Sequence, residues 1–331
     1  MLNWRPLVEG DLNEGLAICP ECAGDELVGS TRALDVWRRL MSMQAFGSAV
    51  VETDTPITGH RLLGIGAAVF VTQAFADQEV GEPQPGLNAR IIRSIDARWP
   101  VVVSDSQLRS ANADSGLDLV ILCASWRRNV LDSERQSELE SLLAAAFFRL
   151  FAGWRFRQMI REGVGRHAIA HIESQRIFGA KYCFDDSARR SRDVSSSDDR
   201  ALFVCTREHA LAVPGSVASI LFGYREPILG LGEQDQELLR AALAGATDKE
   251  LACTLDLKLP TLKKRWATVF HHISVQKPDL LPDPDNRWNS RVRGPQKRHV
   301  LLDYLRDHPE ELRPSTRLSR RGPGSRKVTR R

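Results

Sequence analysis

Residues 245–273 read GATDKELACTLDLKLPTLKKRWATVFHHI, and the organisation of the C-terminal third follows from this stretch. Gly245 closes a preceding helical pattern, Gln234–Ala244, whose apolar stripe is Leu238, Leu239 and Leu243. Thr247 stands three residues before Glu250, the spacing of a capping box, and opens a short helix over Asp248–Leu255 carrying Leu251, Ala252 and Leu255. After the turn Asp256–Lys258 the pattern predicts a third helix over Leu259–His272. There Leu262, Trp266, Val269 and Ile273 recur at i, i+4, i+7 and i+11 and form one buried face. Lys264, Ala267, Thr268 and His271 point the other way, flanked by Thr261 and Lys263.

Short helices, a tight turn and a basic exposed face are the parts of a helix-turn-helix, whose last helix enters the major groove of double-stranded DNA. On that expectation Lys249, Thr261 and Lys263 hold phosphates, Lys264, Thr268 and His271 face base edges, and Arg265 lies on the border of the buried face. The residues Gly245–Ala252, Leu255, Leu257, Thr261-Leu262-Lys263 and Val269 resemble the LuxR-type (GerE-type) DNA-binding domain over 45–50 positions. The resemblance implies a small all-α helix-turn-helix domain over 228–276 in a transcription regulator. Three positions depart from that pattern. Lys258 stands where the family has a capping serine, Trp266 replaces a smaller residue, and the proline-broken run 277–285 replaces the dimerisation helix. An amphipathic piece, Gln296–His308 within 286–311, is a substitute through which a homodimer would form.

Charge supports an anionic partner for this end. Residues 228–331 hold 21 Lys and Arg against 13 Asp and Glu, while the rest of the chain carries 25 against 29. The tail 312–331 has eight Arg and Lys and no acid, and its Pro, Gly and Ser content gives it no core to fold around.

Upstream, residues 1–225 alternate between strand-like and helix-like patterns and read as one α/β (or α+β) domain. Expected elements are a helix over Thr31–Met43 behind a Ser30 cap, strands at Ser48–Thr53 and Arg61–Val71, and a helix at Leu87–Arg98. Further strands are expected at 100–103 and 117–124, a long helix over Ser133–Arg161, and a loop at 187–200. The order from 87 to the helix at 133 resembles the second half of a GAF sensor domain. That implies a small-molecule effector or a partner sensed by the N-terminal domain.

Other motifs weigh less. Cys19 and Cys22 form a lone CxxC without a second ligand pair, and His167 and His171 share a helix face without the glutamate of a zinc protease, so no metal site is expected. Arg61-Leu-Leu-Gly64-Ile-Gly66 matches the N-acetyltransferase pattern in which backbone amides at a helix start hold the pyrophosphate of acetyl-CoA. Here the residues that follow favour a strand. The longest apolar run, Leu62–Val71, is ten residues, half of a bilayer span, and no export signal is visible. The sequence reading is therefore a cytoplasmic, non-enzymatic, sequence-specific DNA-binding regulator without a cofactor. The rivals are an acyltransferase-like enzyme with a nucleic-acid-binding end and a protein-interaction module.

Overall fold

A computed structural model describes residues 1–19, 31–96, 101–184, 199–281 and 294–314. The chain divides into two compact units, Met1–Gly223 and Tyr224–Arg331.

The first unit is a mixed α/β structure. Its elements are β1 (Leu2–Pro6), α1 (Leu12–Ile18), α2 (Thr31–Met41), β2 (Phe46–Ile57), β3 (His60–Val71), α3 (Gln73–Gly81), α4 (Leu87–Asp96) and α5 (Asp105–Ala113). There follow β4 (Leu117–Trp126), α6 (Ser133–Phe151), β5 (Phe156–Val164), α7 (Arg166–Ser174), β6 (Ala180–Cys183), β7 (Arg200–Thr206), α8 (Arg207–Leu211) and α9 (Val217–Phe222). The strands form a seven-stranded sheet in the order β1-β2-β3-β4-β5-β7-β6. Every neighbouring pair is antiparallel except β4 and β5, which are parallel and joined by the crossover helix α6.

Helices on both faces explain why the central strands are apolar runs rather than alternating patterns. One face carries Leu12, Trp37, Leu40, Leu87 and Ile91 from α1, α2 and α4, packed against Val50, Ile65, Val69 and Val120. On the other, α6 lies against small residues. A Cβ on Gly47 would sit 2.6 Å from Phe151 Cζ, and one on Gly64 would sit 3.0 Å from Leu139 Cδ2. Both glycines of the Arg61–Gly66 motif are thus interior to β3, and at Gly64 the missing side chain lets a helix approach the sheet. They do not cradle an anion at a helix start.

Two sequence expectations are corrected here. The helix expected over Ser133–Arg161 ends at Phe151, because Gly153 turns the backbone at φ 83, and Phe156–Val164 becomes β5. The strand expected at 100–103 reduces to a single bridge between Val102 and Val71; Pro100 lies outside the described residues. So do Ser30, Cys22, most of the 187–200 loop, much of 277–285 and the tail beyond Pro314.

The second unit is helical among its described residues: α10 (Glu233–Leu243), α11 (Asp248–Thr254), α12 (Leu259–Gln276) and α13 (Gly294–Asp307), then a 3-10 turn at Pro309–Leu312. Gly245 takes φ 91 after α10. Thr247 and Glu250 make the capping box that opens α11, with Glu250 Oε2 accepting from Thr247 N at 2.7 Å. Lys258 caps α12 without a side-chain bond, and Pro260 in the first turn limits the loss by having no N–H to satisfy. Leu238, Leu251, Leu262, Val269, Ile273 and Leu301 share the core. The buried Glu311 ties its ends together, accepting from Ile228 N at 3.0 Å and Leu229 N at 2.9 Å.

Candidate active site

The parallel strands at the centre of the sheet part company midway. Their ladder runs from Leu117 opposite Phe156 to Ile121 opposite Arg161, yet β4 continues to Trp126 and β5 to Val164. The cause lies on the other edge of β4. Ala67 and Ala68 of β3 face Cys123 and Ile121, so Leu122 is an extra residue, a β-bulge. A bulge bends its strand and ends pairing on the far side. Beyond it β4 stays paired to β3, and β5 to β7, and a slot opens between the two strands.

The first turn of α4 floors this slot. Glu162 of β5 accepts from the N–H groups of Gly86 and Leu87 at 2.7 and 2.8 Å, which satisfies helix-start donors. Asn88 Nδ2 donates to the Leu122 carbonyl at 2.7 Å. Its other amide atom, Oδ1, is buried without a hydrogen-bond partner, as is the indole N–H of Trp126 at the end of β4. A lone buried acceptor and a lone buried donor flank the slot, and each is costly unless something meets it.

On the opposite face α6 packs over β2 and β3, and α7 over β5 and β7. Between α6 and the sheet lies a cavity of about 100 Å³. Ile121 and Arg161, the last pair of the β4–β5 ladder, both line it, together with Gly66, Cys123, Leu143 and Phe147. Arg161 is buried, and its guanidinium donates to the Ala124 carbonyl at 3.4 Å. His171 of α7 stands edge-on to Trp126, ring centres 5.3 Å apart, and the Arg128 guanidinium lies 4.8 Å from the same indole. Burial depresses the His171 pKa. Glu140 of α6 opposes that shift, and Arg161 and Arg128 reinforce it. The half-buried imidazole is therefore neutral near pH 7 and able to accept a proton, with the Gln175 amide nitrogen 3.1 Å from Nε2.

The start of α6 does not suit a pyrophosphate. No glycine occurs from Trp126 to Phe151. The Asp132 carboxylate already accepts from Arg135 N at 2.9 Å, and Glu134 adds a second negative charge to the first turn. Elsewhere, burial raises the Cys205 thiol to about 11, which leaves it protonated and inert. Among the described residues no cluster of His, Cys, Asp and Glu could hold a metal ion, and no helix is long and apolar enough to cross a membrane.

The residues singled out for DNA contact lie in the second unit. Lys249, Thr261, Lys263, Lys264, Thr268 and His271 are exposed. Arg265 is committed within its own unit, donating to Asp235 Oδ1 at 3.3 Å and Gln234 Oε1 at 2.5 Å. Thr268 Oγ1 turns back to the Lys264 carbonyl at 3.1 Å. None of them belongs to the first unit. Sequence reading passed over Asn88, Trp126 and Arg161, and weighed His171 for metal binding alone. Arg161-Glu162 inside the apolar run of a strand was the available signal, since charged residues are almost never buried without a purpose.

No protein-family model and no curated protein matches the chain, and the LuxR-type resemblance of 245–273 stays a likeness of sequence alone. Solved structures it is similar to include three acetyltransferases. Arabidopsis thaliana NAA60 in complex with a bisubstrate analogue is 11% identical, with 62% of this chain and 98% of that one covered and a TM-score of 0.37. A mutant of spermidine N-acetyltransferase SpeG from Vibrio cholerae is 9% identical, with 64% and 96% covered and a TM-score of 0.35. A GNAT superfamily phosphinothricin acetyltransferase from Sinorhizobium meliloti in complex with AcCoA is 12% identical, with 62% and 88% covered and a TM-score of 0.34. These likenesses concern the fold. The expectation of a non-enzymatic DNA-binding regulator with double-stranded DNA as its partner has no counterpart among these three structures and is not carried further.

Proposed function

We propose that the first unit is an acyltransferase that moves an acyl group from a thioester to an amine where the β4–β5 ladder stops, beside the cavity under α6. One observation carries the reading: the β4–β5 ladder stops at Arg161, whose buried side chain lines the cavity under α6 and lies close enough to the neutral His171 imidazole for its charge to act on it. An extended thioester arm with amide groups suits the slot. Its N–H groups and carbonyls complement the orphaned Asn88 Oδ1 and Trp126 N–H.

The chemistry follows from these groups. The amine takes the place of the Gln175 amide at His171 Nε2, and its nitrogen attacks the thioester carbonyl carbon. As the C–N bond forms, the carbonyl oxygen gains the negative charge and the Arg161 guanidinium stabilises it in a site of low dielectric. The proton released by the nitrogen passes to His171. Collapse then breaks the C–S bond, and the thiolate leaves with that proton. Because the start of α6 carries two carboxylates and no glycine, the donor is recognised through its arm rather than its phosphates.

Release of free thiol from butyryl-pantetheine and butyryl-CoA, with a panel of polyamines and amino acids as acceptors, tests the reading. Turnover of both donors with KM values within a few-fold, lost on Arg161→Met, is the expected result. No thiol release above the uncatalysed rate from either donor would overturn it.

A further inference from the structure

We infer that the acyl group transferred is a short chain of about four carbons, larger than acetyl, which lies in the cavity between α6 and the sheet. This rests on the acyl-transfer reading above and concerns the specificity of the same site. The cavity holds about 100 Å³ and its lining is apolar apart from Arg161 at one side. An apolar cavity of about 150 Å³ stays dry and takes a six-carbon ring, so this one takes about four carbons in proportion. A two-carbon acetyl group would leave much of it empty, and surfaces that face a void forfeit their dispersion contacts.

Position identifies the occupant. Ile121 and Arg161 close the β4–β5 ladder and also line the cavity, so it begins where the slot ends. An arm lying in the slot delivers its thioester carbonyl beside Arg161, and the carbons beyond that carbonyl continue under Leu143 and Phe147 of α6. The sheet side is built to leave this room. A Cβ on Gly66 would find its nearest neighbours at 3.6 Å, Leu143 Cδ2, and 3.9 Å, the Cys123 carbonyl. At Gly47 and Gly64, by contrast, α6 fills the space a side chain would take.

Calorimetric titration of the full chain with acetyl-, butyryl- and octanoyl-pantetheine tests this. Each buried methylene contributes about 0.8 kcal/mol, so butyryl should bind about tenfold more tightly than acetyl, and octanoyl should gain nothing further. Gly66→Val projects two methyl groups into the cavity from a strand position that favours a β-branched residue, and should reduce the butyryl-to-acetyl ratio to about one. Gly66→Ala should fall between, which guards against a Val variant that fails to fold. Equal affinities for acetyl and butyryl in the native chain, or a ratio untouched by both substitutions, would overturn the chain-length inference and leave acyl transfer standing. Failure to bind any of the three thioesters, together with no thiol release, would overturn acyl transfer itself.

Discussion

At His171 the neighbouring charges do not agree. Burial and the guanidinium groups of Arg161 and Arg128 favour the neutral ring, Glu140 favours the cation, and Trp126 and Gln175 add no charge. The neutral form wins, so the pKa lies below the usual 6.5. As a general base His171 is active when unprotonated. We expect kcat/KM to be level at neutral pH and to fall as pH drops through a value below 6.5. His171→Gln should lower kcat by roughly 10²- to 10⁴-fold and abolish that acid limb. A pH-rate profile whose acid limb survives the substitution would remove His171 from the role. Glu311 poses a stability question instead. Burial raises its carboxyl pKa above 4.5, so the folded unit binds a proton more readily than the unfolded chain. The sign follows: stability is greatest at low pH and declines as pH rises from 4.5 through the folded value, as denaturant unfolding at a series of pH values should record. Glu311→Gln should flatten that dependence. Glu311→Ala, which strands the Ile228 and Leu229 amides, should cost about 2–3 kcal/mol below pH 4.5 and less as the pH rises.

Among the elements, α6 depends on what β2 and β3 lack. Gly47→Ala would press a methyl onto the buried Phe151 ring and should cost about 1–3 kcal/mol in chemical denaturation. Gly66→Ala, whose methyl would meet Leu143 and the Cys123 carbonyl at ordinary contact distance, should be close to neutral. Equal losses would mean that the helix does not read the glycines individually. The same comparison shows why element types were legible and the site was not. The long apolar runs, the stripe of Leu139 and Leu143, and the Thr247–Glu250 box are local, so periodicity and spacing exposed them. The end of the long helix was missed because Phe156, Met159 and Ile160 fit a helical stripe as well as a buried strand, and Gly153 alone marks the break. The slot is less local still. It arises from one extra residue in β4 measured against β3, and from Asn88, Arg161 and His171 brought together from separate elements. No spacing in the sequence encodes that meeting. Gly64 and Gly66 showed the opposite hazard: a short pattern tied to a phosphate cradle turned out to be a packing surface.

Over the whole molecule, two units of unlike topology share one chain. The first joins β1 to β2 and β4 to β5 across long sequence separations, whereas the second gathers short helices that follow one another. Non-local pairing slows folding, to about milliseconds to seconds for sheet-rich domains against microseconds to milliseconds for helical ones. Refolding followed by tryptophan fluorescence should therefore show two phases, and Trp266→Phe in α12 should diminish the faster one without altering the slower rate. A single phase, unchanged by that substitution, would contradict the division. Recognition across the molecule was unequal as well. The basic second unit drew the functional reading because its signal is contiguous, while the site proposed for acyl transfer sits in the acidic N-terminal portion, where the signal is dispersed. The bulge at Leu122 has a genetic corollary. Loss of that one codon, in frame, would restore the inside–outside alternation of β4 and let Cys123–Ser125 zip alongside Glu162–Val164. The product would be a more regular sheet with nowhere to put a ligand. On the acyl-transfer proposal, an open slot and a closed sheet thus stand a single three-nucleotide deletion apart.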